Sequence, residues 1–83
     1  MEYRLYYSQF CFFCQKVLMP LRGRQHDIEL VSVGDSDHRR ELIQGGGKGQ
    51  VPCLRIENED GSVQWMYESN DILSYIKQQG LLS

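Results

Sequence analysis

Tyr3-Arg4-Leu5-Tyr6-Tyr7-Ser8-Gln9-Phe10-Cys11-Phe12-Phe13-Cys14-Gln15-Lys16-Val17-Leu18 is the stretch from which the fold is read. Tyr3 to Tyr7 is rich in β-formers and predicts a short strand. Ser8-Gln9-Phe10 turns the chain. From Cys11 to about Leu21 the apolar residues Phe13, Val17, Leu18 and Leu21 recur at three- and four-residue steps, which predicts a helix with Cys11 at its N-terminal end. Phe13 is expected to point inward on that helix, and Phe12 to face solvent. Pro20 lies near the far end, and Gly23 fits the exit.

Further along, Ile28 to Val33 predicts a second strand. Its nearly continuous apolar residues Ile28, Leu30, Val31 and Val33 suit a strand covered on both faces. Asp35 or Ser36 can cap a helix running to about Gln44, with Leu42 and Ile43 as its core contacts. The glycine run Gly45-Gly46-Gly47-Lys48-Gly49 is expected to stop that helix. Gln50-Val51-Pro52 leads into a third strand, Cys53 to Glu57. Asp60-Gly61 is a hairpin signal, and Val63 to Tyr67 returns antiparallel, with Trp65 and Tyr67 expected in the core. Ser69 starts a last helix with Ile72, Leu73 and Ile76 on one face. The order β-α-β-α-β-β-α, with helices on both faces of a four-stranded mixed sheet, makes a three-layer α/β sandwich. Residues 1–83 are expected to form a single domain.

The 83 residues are 41% hydrophobic and 24% charged, enough apolar content for one core and too much for general disorder. A net charge of -2, with Arg22/Arg24 and Arg39/Arg40 as the only local basic pairs, excludes a nucleic-acid surface. No apolar run approaches the ~20 residues that span a bilayer, so no membrane is expected as partner. The first residues alternate and carry Glu2 and Arg4, unlike a signal peptide. A cytoplasmic location follows as an expectation. There an odd set of three cysteines, Cys11, Cys14 and Cys53, argues against a secreted disulfide scaffold.

A CxxC motif whose first cysteine opens a helix has a definite chemical use. The helix N-terminus carries partial positive charge and unpaired N–H groups, which favour an anionic sulfur. The three-residue step puts Cys14 about one turn on, on the same face. Cys11 is then the attacking thiol, and Cys14, deeper in the helix, resolves the mixed disulfide. Two incidental core cysteines are one alternative. A zinc site is another, but zinc needs a closed set of four ligands, and only Cys53, His26 and His38 remain to complete one. No metal ligand set is expected.

With these motifs in order, the chain resembles the glutaredoxins, on the thioredoxin fold. It is also similar to the N-terminal, glutathione-binding domain of glutathione transferases. The resemblance covers essentially the whole chain. It rests on Tyr7 to Cys14, on Gln50-Val51-Pro52, and on Glu68-Ser69 opening the last helix. It implies a cis Pro52 and a Val51 backbone that pairs with the cysteinyl part of glutathione. It implies that Gln50 hydrogen-bonds the peptide, that Ser69 meets the γ-glutamyl α-carboxylate, and that Glu68 pairs with the α-ammonium. Simple helix capping by Ser69 is the alternative.

The resemblance implies a glutaredoxin-type disulfide oxidoreductase with glutathione as co-substrate. Its partners would be disulfide-bonded or glutathionylated proteins, and it would act as a monomer. Some relatives that lack proline in the motif hold a [2Fe-2S] cluster between two subunits, so a cluster carrier is the second reading, and a glutathione-binding module without turnover the third. Departures are plain. Phe12-Phe13 replaces the usual Pro-Tyr, and Ser8 stands where glutaredoxins place a lysine. The sequence has no room for the second, all-helical domain of the transferases, so transferase activity is not expected. Cys53, directly after Pro52, is expected to point away from the thiols as a buried, inert residue.

Overall fold

The computed structural model describes residues 1–81. In chain order these are β1 (Glu2–Tyr7), α1 (Phe12–Leu21), β2 (Ile28–Ser32), α2 (Ser36–Gly46), β3 (Cys53–Glu57), β4 (Val63–Met66) and α3 (Ser69–Gln78). The strands form one sheet in the order β2-β1-β3-β4. The crossover through α1 lets β2 pair parallel to β1, whereas β3 pairs antiparallel with both β1 and β4. At the β3–β4 turn the Asn58 N–H donates to the Ser62 carbonyl at 2.8 Å, and Gly61 takes a φ of 89° that a side chain would oppose. This is the mixed-sheet, thioredoxin-like sandwich that the sequence leads one to expect.

Strand alternation splits the interior in two. On one face Leu5, Ile28, Leu54 and Ile56 meet Cys14, Val17, Leu18 and Leu21 of α1 and Ile72 and Ile76 of α3. On the other, Tyr6, Val31 and Cys53 meet Leu42 of α2, with Trp65 and Tyr67 packed half-buried at the margin rather than in the core proper. The active half of the motif and the third cysteine thus belong to different layers.

Three expectations about burial need correcting. Phe13 is 55% exposed, because the buried face of α1 runs through Cys14, Val17, Leu18 and Leu21 and leaves Phe13 at its border. Leu30 is 43% exposed, since β2 is an edge strand and its middle borders an open groove with Tyr7, Leu18 and Leu21. Ile43 is likewise 43% exposed, so that α2 buries only Leu42. A clasp of polar groups compensates: Glu41 accepts from the Tyr6 hydroxyl and pairs with Arg4, which also reaches Glu29 at 3.3 Å. The Tyr6 hydrogen bond, with the Arg4 charge behind it, holds the Glu41 carboxyl below its ordinary range.

The glycine run also behaves differently from the expectation. Asp35 caps α2, accepting from the Asp37 N–H at 2.8 Å and the His38 N–H at 3.3 Å. The helix then continues through Gly45 and Gly46, and ends at Gly47, whose φ is 92° and whose N–H donates to the Ile43 carbonyl at 2.9 Å. The reason lies across the layer. A Cβ at Gly45 would overlap the Trp65 ring, and one at Gly46 would overlap the Tyr67 hydroxyl. Helix propensity alone makes Gly→Ala favourable by roughly 1 kcal/mol. Gly45→Ala is instead expected to destabilise the fold by about 1–3 kcal/mol through overpacking against Trp65. Urea unfolding that showed a gain in stability would remove this packing role.

Candidate functional site

Cys11 occupies the N-cap of α1 in extended backbone. Its own N–H donates to the Ser8 carbonyl at 3.3 Å, which folds the preceding turn back beneath the helix. Its sulfur accepts from the Cys14 N–H at 3.1 Å, so the thiol itself caps the helix in place of the usual hydroxyl or carboxylate. The Val51 carbonyl faces the same sulfur at 3.7 Å, within reach of the S–H. Cys11 is partly exposed and Cys14 fully buried, and neither is in a disulfide. Burial, reinforced by the Cys11 side chain, pushes the Cys14 thiol up to about 12. The two sulfurs therefore differ in access, and the buried one holds its proton firmly.

The five residues singled out for glutathione come together. Gln50, Val51, Pro52, Glu68 and Ser69 line one cavity of about 200 Å³, beside the Cys11–Val51 contact. The Val51–Pro52 bond is cis. Glu68, rather than Ser69, holds the N-cap position of α3, and it makes no side-chain cap hydrogen bond. Ser69 is the first helical residue and only 9% exposed, and its hydroxyl has no hydrogen-bond partner among the described residues. The capping alternative for Ser69 therefore falls. What remains is a hydroxyl on a mostly buried residue and an uncapped helix start that together border a cavity.

The same cavity has walls that sequence reasoning passed over. Phe13 and Lys16 line it from α1, and Tyr67 and Asn70 from the β4–α3 connection and α3. Lys16 Nζ donates to Asn70 Oδ1 at 3.4 Å and lies 5.8 Å from the Phe13 ring centre. Phe13 and Lys16 sit three residues apart on one helix, and that spacing is the signal that would have found the wall. Tyr67 is fixed by its hydroxyl, which donates to the Lys48 carbonyl at 3.0 Å.

Cys53 lies in the opposite layer with Tyr6 and Leu42, and burial pushes its thiol up to about 12. Its cluster lies across the sheet from the one that holds Cys14. Among the described residues no group of three or more His, Cys, Asp and Glu side chains gathers as a metal ion held by this chain alone would need. A roomier groove of about 380 Å³ runs between α1 and β2; neither cysteine of the motif lines it or the 200 Å³ cavity, but the latter reaches the Cys11 sulfur through Val51. No described helix is long and apolar enough to cross a membrane.

Comparison with known proteins agrees with this geometry. No curated protein sequence matches the chain. Among solved structures, the Leishmania TDR1 protein, described as a unique trimeric glutathione transferase, superposes with a TM-score of 0.69 at 29% identity. A glutathione S-transferase from the Antarctic clam Laternula elliptica superposes at 0.62 with 23% identity, which speaks to the fold. These alignments cover 93% and 95% of this chain but only 17% and 35% of the two transferases, so the chain spans far less than their length. The family described as glutathione S-transferase, N-terminal domain, matches residues 5–80. Strand order, helix placement and that match lead to one conclusion: the chain belongs to the glutathione S-transferase N-terminal domain family, on a thioredoxin-like fold.

Proposed function

We propose that this chain is a glutathione-dependent thiol–disulfide oxidoreductase of the glutaredoxin type, with Cys11 as nucleophile and Cys14 as resolving thiol. The observation that carries the proposal is the pairing of a partly exposed sulfur at the α1 N-cap with a buried, proton-holding sulfur one turn on. Simple glutathione binding would need no second thiol there.

The chemistry balances as two exchanges. The Cys11 thiolate attacks the glutathione sulfur of a mixed disulfide. The old S–S bond breaks, the protein thiolate leaves and takes up a proton, and Cys11 carries glutathione. A second glutathione thiolate then attacks that glutathione sulfur, releasing oxidised glutathione and restoring the Cys11 thiolate. With a protein disulfide as substrate, the Cys11 thiolate first attacks it, releasing one protein thiol and forming a Cys11–protein disulfide; Cys14 then attacks Cys11, freeing the second protein thiol and leaving a Cys11–Cys14 disulfide that two glutathiones reduce. In both routes Val51 aligns the cysteinyl unit, Gln50 hydrogen-bonds the peptide, and Glu68 and Ser69 hold the γ-glutamyl end. A monomer in the cytosol, acting on disulfide-bonded or glutathionylated proteins, completes the proposal.

Two measurements test it. Limiting iodoacetamide near neutral pH is expected to modify Cys11 first, because Cys11 is partly exposed while Cys14 and Cys53 are buried with raised thiols. Mass mapping that put the label on Cys14 or Cys53 would reverse the roles. Ser69→Ala and Glu68→Ala are each expected to raise the glutathione KM by roughly tenfold, the loss of one charge-assisted contact, while Cys11 alkylation stays within about twofold. An unchanged KM in both variants would remove the glutathione site.

A further inference from the structure

Lys16 has no part in the exchange of sulfur, yet it faces the cavity in which the exchange partner would sit. It projects from α1 across to the first turn of α3, where its Nζ donates to Asn70 Oδ1 at 3.4 Å. The Phe13 ring lies beneath it, 5.8 Å from centre to nitrogen. The floor it overlooks is rich in donors that lack an acceptor. Glu68 leaves the α3 N-terminus without a side-chain cap, and Ser69, only 9% exposed as a residue, has a hydroxyl with no partner among the described residues and open to the cavity it lines. Among the residues lining the cavity, Lys16 is the one cation and Glu68 the one anion. A pocket that offers one charge of each sign, a free hydroxyl and a helix start fits the zwitterionic end of an amino acid.

We infer that Lys16 is a specificity residue of this pocket: it pairs with the α-carboxylate at the γ-glutamyl end of glutathione, beside Ser69, while Glu68 takes the α-ammonium. The inference rests on the glutathione reading above and extends it to a side chain on the opposite wall. Asn70 and Phe13 position the Lys16 ammonium before the ligand arrives, which limits the side-chain entropy lost on binding. The pocket then selects thiol peptides whose first residue keeps its α-carboxylate free, and discriminates against those in which it is absent or amidated.

The test uses a probe that cannot exchange sulfur, S-methylglutathione, and a second that lacks the carboxylate, 4-aminobutanoyl-S-methylcysteinylglycine. Binding of both is measured by calorimetry for the wild type, Lys16→Met and Lys16→Arg. Lys16→Met is expected to weaken S-methylglutathione by about tenfold, and Lys16→Arg to hold it within about threefold, since the charge is what counts. The carboxylate-free probe is expected to bind wild type and Lys16→Met alike. Equal affinity of wild type and Lys16→Met for S-methylglutathione overturns the assignment and leaves the pocket standing. An equal weakening of both probes also overturns it, because Lys16 would then act on shape or overall charge. A wild type that binds neither probe even at millimolar concentration overturns the glutathione reading itself, and the assignment with it.

Discussion

Cys11→Ser is expected to abolish glutathione-coupled disulfide reduction, by about a thousandfold or more, because the only partly exposed sulfur of the motif is lost. The serine hydroxyl can still cap α1, so the fold should survive and the loss should fall on kcat. Cys14→Ser separates two activities. Removal of glutathione from a glutathionylated peptide needs one protein thiol, and is expected to stay within roughly threefold of wild type. Reduction of a protein disulfide needs Cys14 to free Cys11 from a partner that glutathione reaches poorly, and is expected to fall at least about tenfold. Both assays are run with glutathione and its reductase in excess. Normal turnover by Cys11→Ser would end the thiol mechanism. Equal loss of both activities in Cys14→Ser would end the division of labour, while sparing Cys11 as the nucleophile.

The resolving step is expected to accelerate about tenfold for each unit of pH between 7 and 9. The cause is the Cys14 thiol, which burial first, and the neighbouring Cys11 second, push up to about 12. A raised value means that the proton is held at neutral pH and only a small thiolate fraction can attack. That fraction grows with pH until the thiol value is reached. Once Cys11 is tied up in a mixed disulfide its contribution disappears, but the burial remains, so the direction of the shift is kept. The measurement is single-turnover release of a fluorescent peptide from its disulfide with Cys11, in the absence of free glutathione. A rate that levels off near neutral pH would show that Cys14 is already ionised when it attacks.

Much of the fold was legible because its signals are local. Alternation in Tyr3 to Tyr7, the helical spacing after Cys11 and the Asp60-Gly61 turn each predict their own element, and the element order follows. The gathering of Gln50, Val51, Pro52, Glu68 and Ser69 around one cavity was reached through resemblance to known motifs, since no periodicity places residues so far apart in sequence side by side. The misjudged residues depend on which neighbour covers them. Leu30 reads as interior until β2 is known to be an edge, and Phe13 reads as core until α1 is rolled against the sheet. Gly45 and Gly46 look like a loop because glycine breaks helices in water. The rings of Trp65 and Tyr67, supplied by another strand, turn the missing Cβ into a packing requirement. Lys16 was overlooked for the same kind of reason: a single lysine on an amphipathic helix reads as solvated until α3 is laid beside it.

The unequal anchoring of the helices also bears on how the site responds to its ligand. Helix α1 buries Cys14, Val17, Leu18 and Leu21, and α3 buries Ser69, Ile72 and Ile76, but α2 buries only Leu42 and is otherwise held by the Glu41 clasp and the close approach of Gly45 and Gly46 to Trp65 and Tyr67. Local opening costs least where the fewest apolar contacts must be broken, so among the three helices α2 is the one expected to open most readily. The chain leaving it passes through Gly47 to Gly49 directly into Gln50, Val51 and Pro52. The backbone that aligns the incoming thiol is thus tethered to the least firmly docked helix, while Cys11 and Cys14 ride on one of the best docked. Any molecule that engages Gln50 to Pro52 favours the closed form over the frayed one, and by thermodynamic linkage it must tighten α2 by the same free energy that the opening takes from its own affinity.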